Sequence, residues 1–368
     1  MSDYFLNNNL GLVRTLGESA YLNDLRSLDL WTRGWFPVNA PLITDYTDHG
    51  IRHSETIIER IDKLTVYLMD QSDKRLCDVE IYILLTACYL HDIGMHYEHL
   101  ERLECLKDKC QEHLNIDFSN PRSLVNEEQE IVLKILRDRH HLISYELVKN
   151  NTLGIKGLND DFKEFAASVC LGHRWLTPNE HKDKLLDDYE YDDRHIRLEF
   201  LSRILSIGDS LDITFQRADP RVEEIRNIQD QSFIHWFKHH YTRGLDISNH
   251  GIHLQFELPC TEEEVKNDDY KKNYKLIPKI ALLELKKEQY LHQKYLKDHL
   301  YNVFISVVDG IPDVIYNQNI AGYEFVKKPQ RYLRTMDNDL LKLVKREYDD
   351  VRNKVCSIVG SDNLDFLL

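Results

Sequence analysis

No apolar run in this 368-residue chain approaches the ~18–20 residues that a membrane-spanning helix requires. Positive charge is short as well: 47 Lys and Arg against 62 Asp and Glu leave a net charge of -15. Nothing global therefore favours nucleic-acid or acidic-membrane binding, and only a local basic groove stays open. Glycine (14) and proline (9) are sparse, and 42% apolar with 30% charged residues is a globular composition, which excludes disorder as a main theme. The seven cysteines, at 77, 88, 105, 110, 170, 260 and 356, are odd in number and form no CxxC pair. They read as reduced, packed thiols of a cytoplasmic protein, not as disulfides or zinc ligands. The stretch Met1-Ser-Asp-Tyr-Phe-Leu-Asn7 lacks the basic flank and apolar core of a signal peptide.

Histidine is what the chain has in excess, with 18 residues. The most informative stretch is Tyr89-Leu-His-Asp-Ile-Gly-Met95, which follows the apolar run Ile81 to Leu90. Such a run predicts a fully buried helix, and an unpaired carboxylate at its end would cost several kcal/mol or more, on the order usual for buried charge. Asp92 therefore needs a cation, and the neighbouring His91 points to a metal ion.

Apolar periodicity predicts a mainly α fold. Helices are expected over Asn9 to Leu28, from His53 onward with Ile57, Ile58, Ile61 and Leu64 inward, and over Asp78 to His91. Trp31 to Asp48 reads as a loop, and Cys105 to Asn126 as a surface insertion. A strong helix should span Asn126 to Asn150, capped by Asn126 and carrying glutamates in its first turn. Within it His140 shares the stripe of Leu136, Ile143 and Leu147, whereas His141 is rotated by about 100° and should face outward. Two more helices are expected over Asp160 to Gly172, ending at His173, and over Ile196 to Phe215, with Asp209 on the face of Leu198 and Leu205. Alternation around Asn249-His-Gly251 predicts a hairpin at about 244–258. Beyond it lie a long helix after Pro278 and a last one over Gln330 to Val359. This divides the chain into a helical domain, 1–258, and a helical extension, 259–368, whose helices are open to packing, self-association, a protein partner or substrate restriction.

Six side chains then point inward from separate helices: His53, His91, Asp92, His140, His173 and Asp209. Imidazole and carboxylate donors without thiolates suit borderline first-row divalent metals (Mn, Fe, Ni, Co or Zn), or Mg, and argue against a closed structural zinc site. The order His53, His91-Asp92, Asp209 resembles the H…HD…D signature of the HD-domain superfamily of metal-dependent phosphohydrolases. Asp48-His-Gly-x-x-His53, His91-Asp92-Ile-Gly94 and Ile207-Gly-Asp209 fit its flanks. Arg137-x-x-His140-x-x-x-Ser144 and Gly172-His173-Arg174 are similar to the added histidine motifs of its binuclear members. The resemblance covers about residues 10–258 and extends to one bacterial branch, often fused to a histidine-kinase-like ATPase module, in which a role in phage defence is suspected. No glycine-rich nucleotide box follows residue 260 here.

The resemblance implies an HD-type helical bundle with a small β-hairpin and a C-terminal helical extension. It implies one metal held by His53, His91, Asp92 and Asp209, and a second by His140 and His173, with Asp92 bridging. It implies a phosphohydrolase that attacks a nucleotide or oligonucleotide phosphoester with metal-activated water. Arg174 is expected to grip a substrate phosphate and His96 to give a proton to the leaving oxygen. His49 is a candidate second-layer contact, and Asp212 a group that orients a ligand histidine. Arg137, Arg139, Arg203 and Arg217 could line a local groove; His141, His239, His240 and His299 read as surface residues. A nucleotide sensor that signals through the C-terminal helices and a single-strand nuclease are the alternatives. The acidic surface favours small nucleotides over long polymers.

Overall fold

From Val79 to Leu90 every side chain of one helix is buried, so that helix must be surrounded by others. The computed structural model describes residues 5–7, 9–42, 47–69, 75–174, 189–218, 230–248, 251–258, 260, 262–299, 313–316 and 338–359. They fall into two compact units, Met1–Ile43 with His49–Asp209, and Thr44–Asp48 with Ser210–Leu368. The architecture is mainly α, as expected from the periodicity.

In the first unit, α1 (Gly11–Leu16), α2 (Ala20–Trp35), α3 (Ile51–Met69) and α7 (Lys163–Gly172) pack on the buried helix α4 (Asp78–Leu90). Between them come a short α5 (Lys107–Glu112) and the long α6 (Asn126–Lys149), and α8 (Leu198–Ser210) follows. The single helix expected over Asn9 to Leu28 is two helices. Gly17 takes φ 56, and the Ser19 side chain then accepts the Leu22 N–H to start α2 afresh. The expected loop from Trp31 begins later, because α2 runs on to Trp35. Glu80 is buried, yet it is fully used: it caps Cys77 N–H at 3.1 Å and accepts from Arg197 Nε (2.8 Å), Nη2 (2.9 Å) and backbone N (3.1 Å). The expected surface insertion is ordered around short 3₁₀ turns and α5. Asp108 accepts two bonds from Arg139, at 2.7 and 2.8 Å.

A two-stranded hairpin, β1 (Tyr189–Tyr191) with β2 (Arg194–Ile196), was not legible in its charged sequence. Its turn residues Asp192 and Asp193 sit at φ 50 and 59, the conformation that a two-residue hairpin turn demands.

The second unit contains α9 (Asp230–Tyr241), β3 (Thr242–Ser248), β4 (Gly251–Leu258), α10 (Glu262–Asn267), α11 (Leu276–His299), β5 (Asp313–Tyr316) and α12 (Asn338–Val359). The expected hairpin is present: Leu245 pairs with Leu254 and Ile247 with Ile252, with a bulge between Thr242 and Gly244, and β5 joins β4 in parallel. Trp236, Phe237, Tyr241, Tyr274, Ile277 and Val344 lie in this unit's core. The start of the last expected helix, 330–337, lies outside the described residues. Among those described, no helix is long and apolar enough to cross a membrane, and the seven cysteines are free thiols.

Two glycines set the spacing of the ligand helices. Gly208 of α8 lies against Ile61 and Ile57 of α3. Gly94 lies against α6, where its N–H donates to Ser144 Oγ at 3.0 Å. A methyl group at Gly94 would stand 2.5 Å from the His140 carbonyl oxygen and 2.9 Å from both Ile143 Cβ and the Ser144 nitrogen. Gly94→Ala should therefore destabilise the protein by about 1–3 kcal/mol, the usual cost of overpacking. Urea unfolding checks this; a loss below about 0.5 kcal/mol, within the range of ordinary surface substitutions, would mean that the turn does not press on α6.

Candidate metal centre

Each candidate ligand sits where a helix begins or ends, or, for His140, on a helix that packs on α7 and on the turn after α4. His53 lies in the first turn of α3, His91 and Asp92 directly follow α4, and His173 directly follows α7. His140 is in the middle of α6, and Asp209 is one residue from the end of α8. The structure brings all six together. Three groups have ligand atoms within 4.8 Å of one another: His53, His91 and Asp92; His91, His173 and Asp209; Asp92, His140 and His173.

Asp92 is at the centre, and its two oxygens face different histidines. Oδ2 lies 3.4 Å from His53 Nε2 and 3.2 Å from His91 Nε2, while Oδ1 lies 3.5 Å from His140 Nε2 and 3.7 Å from His173 Nε2. Asp209 Oδ1 stands 3.1 Å from His53 Nε2. The His140 and His173 Nε2 atoms are 3.2 Å apart.

Three of the imidazoles are oriented in one way. Each donates Nδ1–H to the backbone carbonyl three residues earlier: His91 to Cys88 (3.1 Å), His140 to Arg137 (3.1 Å) and His173 to Cys170 (2.5 Å). A neutral ring has one N–H, so each Nε2 carries a lone pair directed at the others and at Asp92. His91 Nε2 is buried without a hydrogen-bond partner. A buried, unsatisfied acceptor among other acceptors is what a cation would satisfy, and the donor set of imidazole and carboxylate fits a divalent metal.

Burial lowers His140, with the Arg174 charge adding to it, and lowers His173 to about 3 with help from His91 and His140; both rings are thus held neutral, as ligands must be. Burial alone would raise Asp92, but at acid pH, where rings around it take up protons, the charge of His91 foremost and bonds from His53 and His91 hold it well below the ordinary carboxylate range. Asp209 is likewise lowered against burial, through His53.

The other expected site residues are placed differently. Arg174 is beside the cluster: Nη1 is 3.4 Å from His140 Nδ1, and Nη2 is 3.7 Å from Asp138 Oδ1, beyond hydrogen-bond reach. His96 is buried under Trp35 and Phe36, with Nδ1 2.7 Å from the Asn39 carbonyl oxygen and Nε2 3.2 Å from that of His49. The His49 ring is 5.4 Å from that of His53. Asp212 belongs to the second unit, where Arg217 Nη1 donates to its carbonyl.

Three histidines expected at the surface are buried. His141 is 2% exposed, because α7 packs on α6 close enough to bring the His173 ring 6.5 Å from that of His141. His239 and His240 are buried on α9. The side chain of His299 lies outside the described residues. Of the arginines expected to line a groove, Arg139 is taken up by Asp108, Arg203 by Glu199 and Arg217 by Asp48 and Asp212. Sequence reasoning missed the three carbonyls that orient the rings, and their shared spacing of three residues was the available signal.

Residues 43–287 match the family model described as HD-CE. No curated protein and no solved structure matches the chain.

A group whose pKa is lower in the folded than in the unfolded state takes up its proton first in the unfolded chain, so acid favours unfolding. For His140 and His173 that loss begins near about pH 6.5, the free imidazole value, and for Asp92 and Asp209 it begins below about pH 4. His240, lowered by burial to about 3, adds to the effect of the histidines. In chelator, the melting temperature should fall steadily between about pH 7.5 and pH 5, and the extra stability given by a divalent metal should shrink over the same range. A melting temperature that is flat across that window would contradict neutral, buried imidazoles.

Proposed function

The chain belongs to the HD-CE family, and from that premise we propose that it hydrolyses a phosphoester of a nucleotide or short oligonucleotide. The family and the buried His/Asp cluster together suggest a metal-dependent hydrolase. The observation that carries the reading is the convergence of three oriented Nε2 lone pairs on Asp92, with His91 Nε2 left without a donor. His53, His91, Asp92 and Asp209 would hold one divalent ion, and His140 and His173, with the second oxygen of Asp92, another. Such ions supply Lewis-acid activation of water and neutralise charge on a phosphate.

The chain's own groups do the rest. The Nδ1 bonds keep the rings from turning, and burial keeps those of His140 and His173 unprotonated at neutral pH. Arg174, with a partly exposed guanidinium and no carboxylate within hydrogen-bond distance among the described residues, is placed to bind substrate phosphate oxygens with its fork. His96 has both nitrogens turned to backbone carbonyls, so its role in this reading is to position the Asn39 and His49 segments, and the leaving oxygen takes its proton from elsewhere. The net charge of -15, and the use of Arg139, Arg203 and Arg217 in internal pairs, favour a small nucleotide over a long polymer.

A panel of nucleotides, cyclic dinucleotides and labelled single strands, incubated with Mn²⁺, tests this. Turnover should disappear in Asp92→Ala, and Arg174→Gln should lose about 10–100-fold in kcat/KM, the worth of a charge-assisted hydrogen bond. Binding of a nucleotide without turnover in the wild type would favour a sensor. Turnover that survives in Asp92→Ala would overturn the assignment of the site.

A further inference from the structure

A second set of charges lies one layer behind the ligands. Asp29 of α2 is fully buried. Its Oδ1 accepts from the Tyr89 hydroxyl and from Arg33 Nε, both at 3.0 Å, and Oδ2 lies 3.1 Å from the same Nε. Arg33 reaches on through Nη2 to Glu55. Burial and the Asp29 charge push the Tyr89 phenol well above its usual range, so it stays a donor.

The members come from three helices. Asp29 and Arg33 belong to α2, which carries no ligand; Tyr89 belongs to α4 and Glu55 to α3. Tyr89 is two residues before His91, and Glu55 is two residues after His53. The network thus joins the two helices that supply the H…HD pair, at points next to the ligands. Stability alone does not account for it. The Arg33 side chain is 37% exposed, so its ion pairs are screened and add little, and α2 already buries Leu22, Leu25 and Leu28. What charged hydrogen bonds add is direction, since a slide of α3 along α4 must break either the Tyr89–Asp29 bond or the Arg33–Glu55 pair.

We infer that Asp29, acting through Tyr89 and the Arg33–Glu55 pair, is a positioning residue of the metal centre that locks the slide of α3 against α4. The distances it sets are those of His53 from the residues that follow α4: 3.4 Å from its Nε2 to Asp92 Oδ2, and 5.3 Å between the His53 and His91 rings. The inference rests on the reading of the cluster as a metal centre.

Tyr89→Phe and Glu55→Gln each cut one arm and keep the bulk of the side chain. Calorimetric titration of the metal-free full chain with Mn²⁺ should find affinity lowered about 10-fold in each, at the lower end of what supporting partners of metal ligands contribute. Because the arms act through one network, the double variant should lose no more than about the same 10-fold, where independent effects would multiply. Unchanged affinity in the single variants, or multiplied losses in the double, would overturn the lock. Amide hydrogen exchange of the metal-free protein gives a second reading: it should quicken at residues 51–56 and 89–94 in both single variants, with the rest of the first unit unchanged. Should the wild type bind no Mn²⁺, the hydrolase reading fails, and exchange still decides the lock. Exchange that is unaltered, or faster throughout, counts against it.

Discussion

The first unit is organised around a region where acceptors face acceptors. Three imidazoles present lone pairs to one buried carboxylate, and a second carboxylate stands beside it. Groups of that kind repel one another in a low-dielectric interior, so they stay together only if the surrounding structure is stiff enough to hold them. The wholly buried α4 provides that stiffness. Gly94 and Gly208 allow α6 and α8 to come close enough for His140 and Asp209 to reach the centre. Arg197 satisfies Glu80 at the other end of α4, so that the helix carries no second unpaired charge.

The clustering of all six candidate residues was legible in the sequence, because each lies in register with an apolar stripe or directly after one. Periodicity alone puts His140 beside Leu136 and Ile143, and that is where it stands. His141 shows the limit of the method. A helical wheel gives direction but not what covers each side, and α6 is covered on two. Arg139, Arg203 and Arg217 show the same limit for charge. Proximity to the cluster in sequence suggested a groove, yet Arg203 is held by Glu199 one turn earlier, and Arg139 and Arg217 have partners, Asp108 and the Asp48 carbonyl, that only the folded chain brings near.

The division of α1 from α2 turned on the backbone conformation of Gly17, and the hairpin at 189–196 on Asp192 and Asp193, whose short polar side chains tolerate positive φ. Neither leaves a periodic trace. His96 is a different case. The helix before it ends at Leu90, and the chain continues as a 3₁₀ turn, which swings the ring towards Asn39 and His49. The family match over 43–287 includes all six candidate ligands as well as the whole β3–β4 hairpin and the start of α11.

The bonds that orient His91 and His173 also act on the helices before them. Each of these residues is the C-cap of its helix, and the carbonyls they bond, Cys88 and Cys170, lie in the last turn, where backbone acceptors run out of N–H partners. The ligand ring is thus a side-chain cap as well. Where α4 and α7 stop, and where the Nε2 atoms of His91 and His173 point, are tied to the same N–H. Carrying either helix one residue further would give that carbonyl a backbone N–H in place of the ring's and leave the imidazole free to turn, so helix termination and the aim of these two rings cannot change independently.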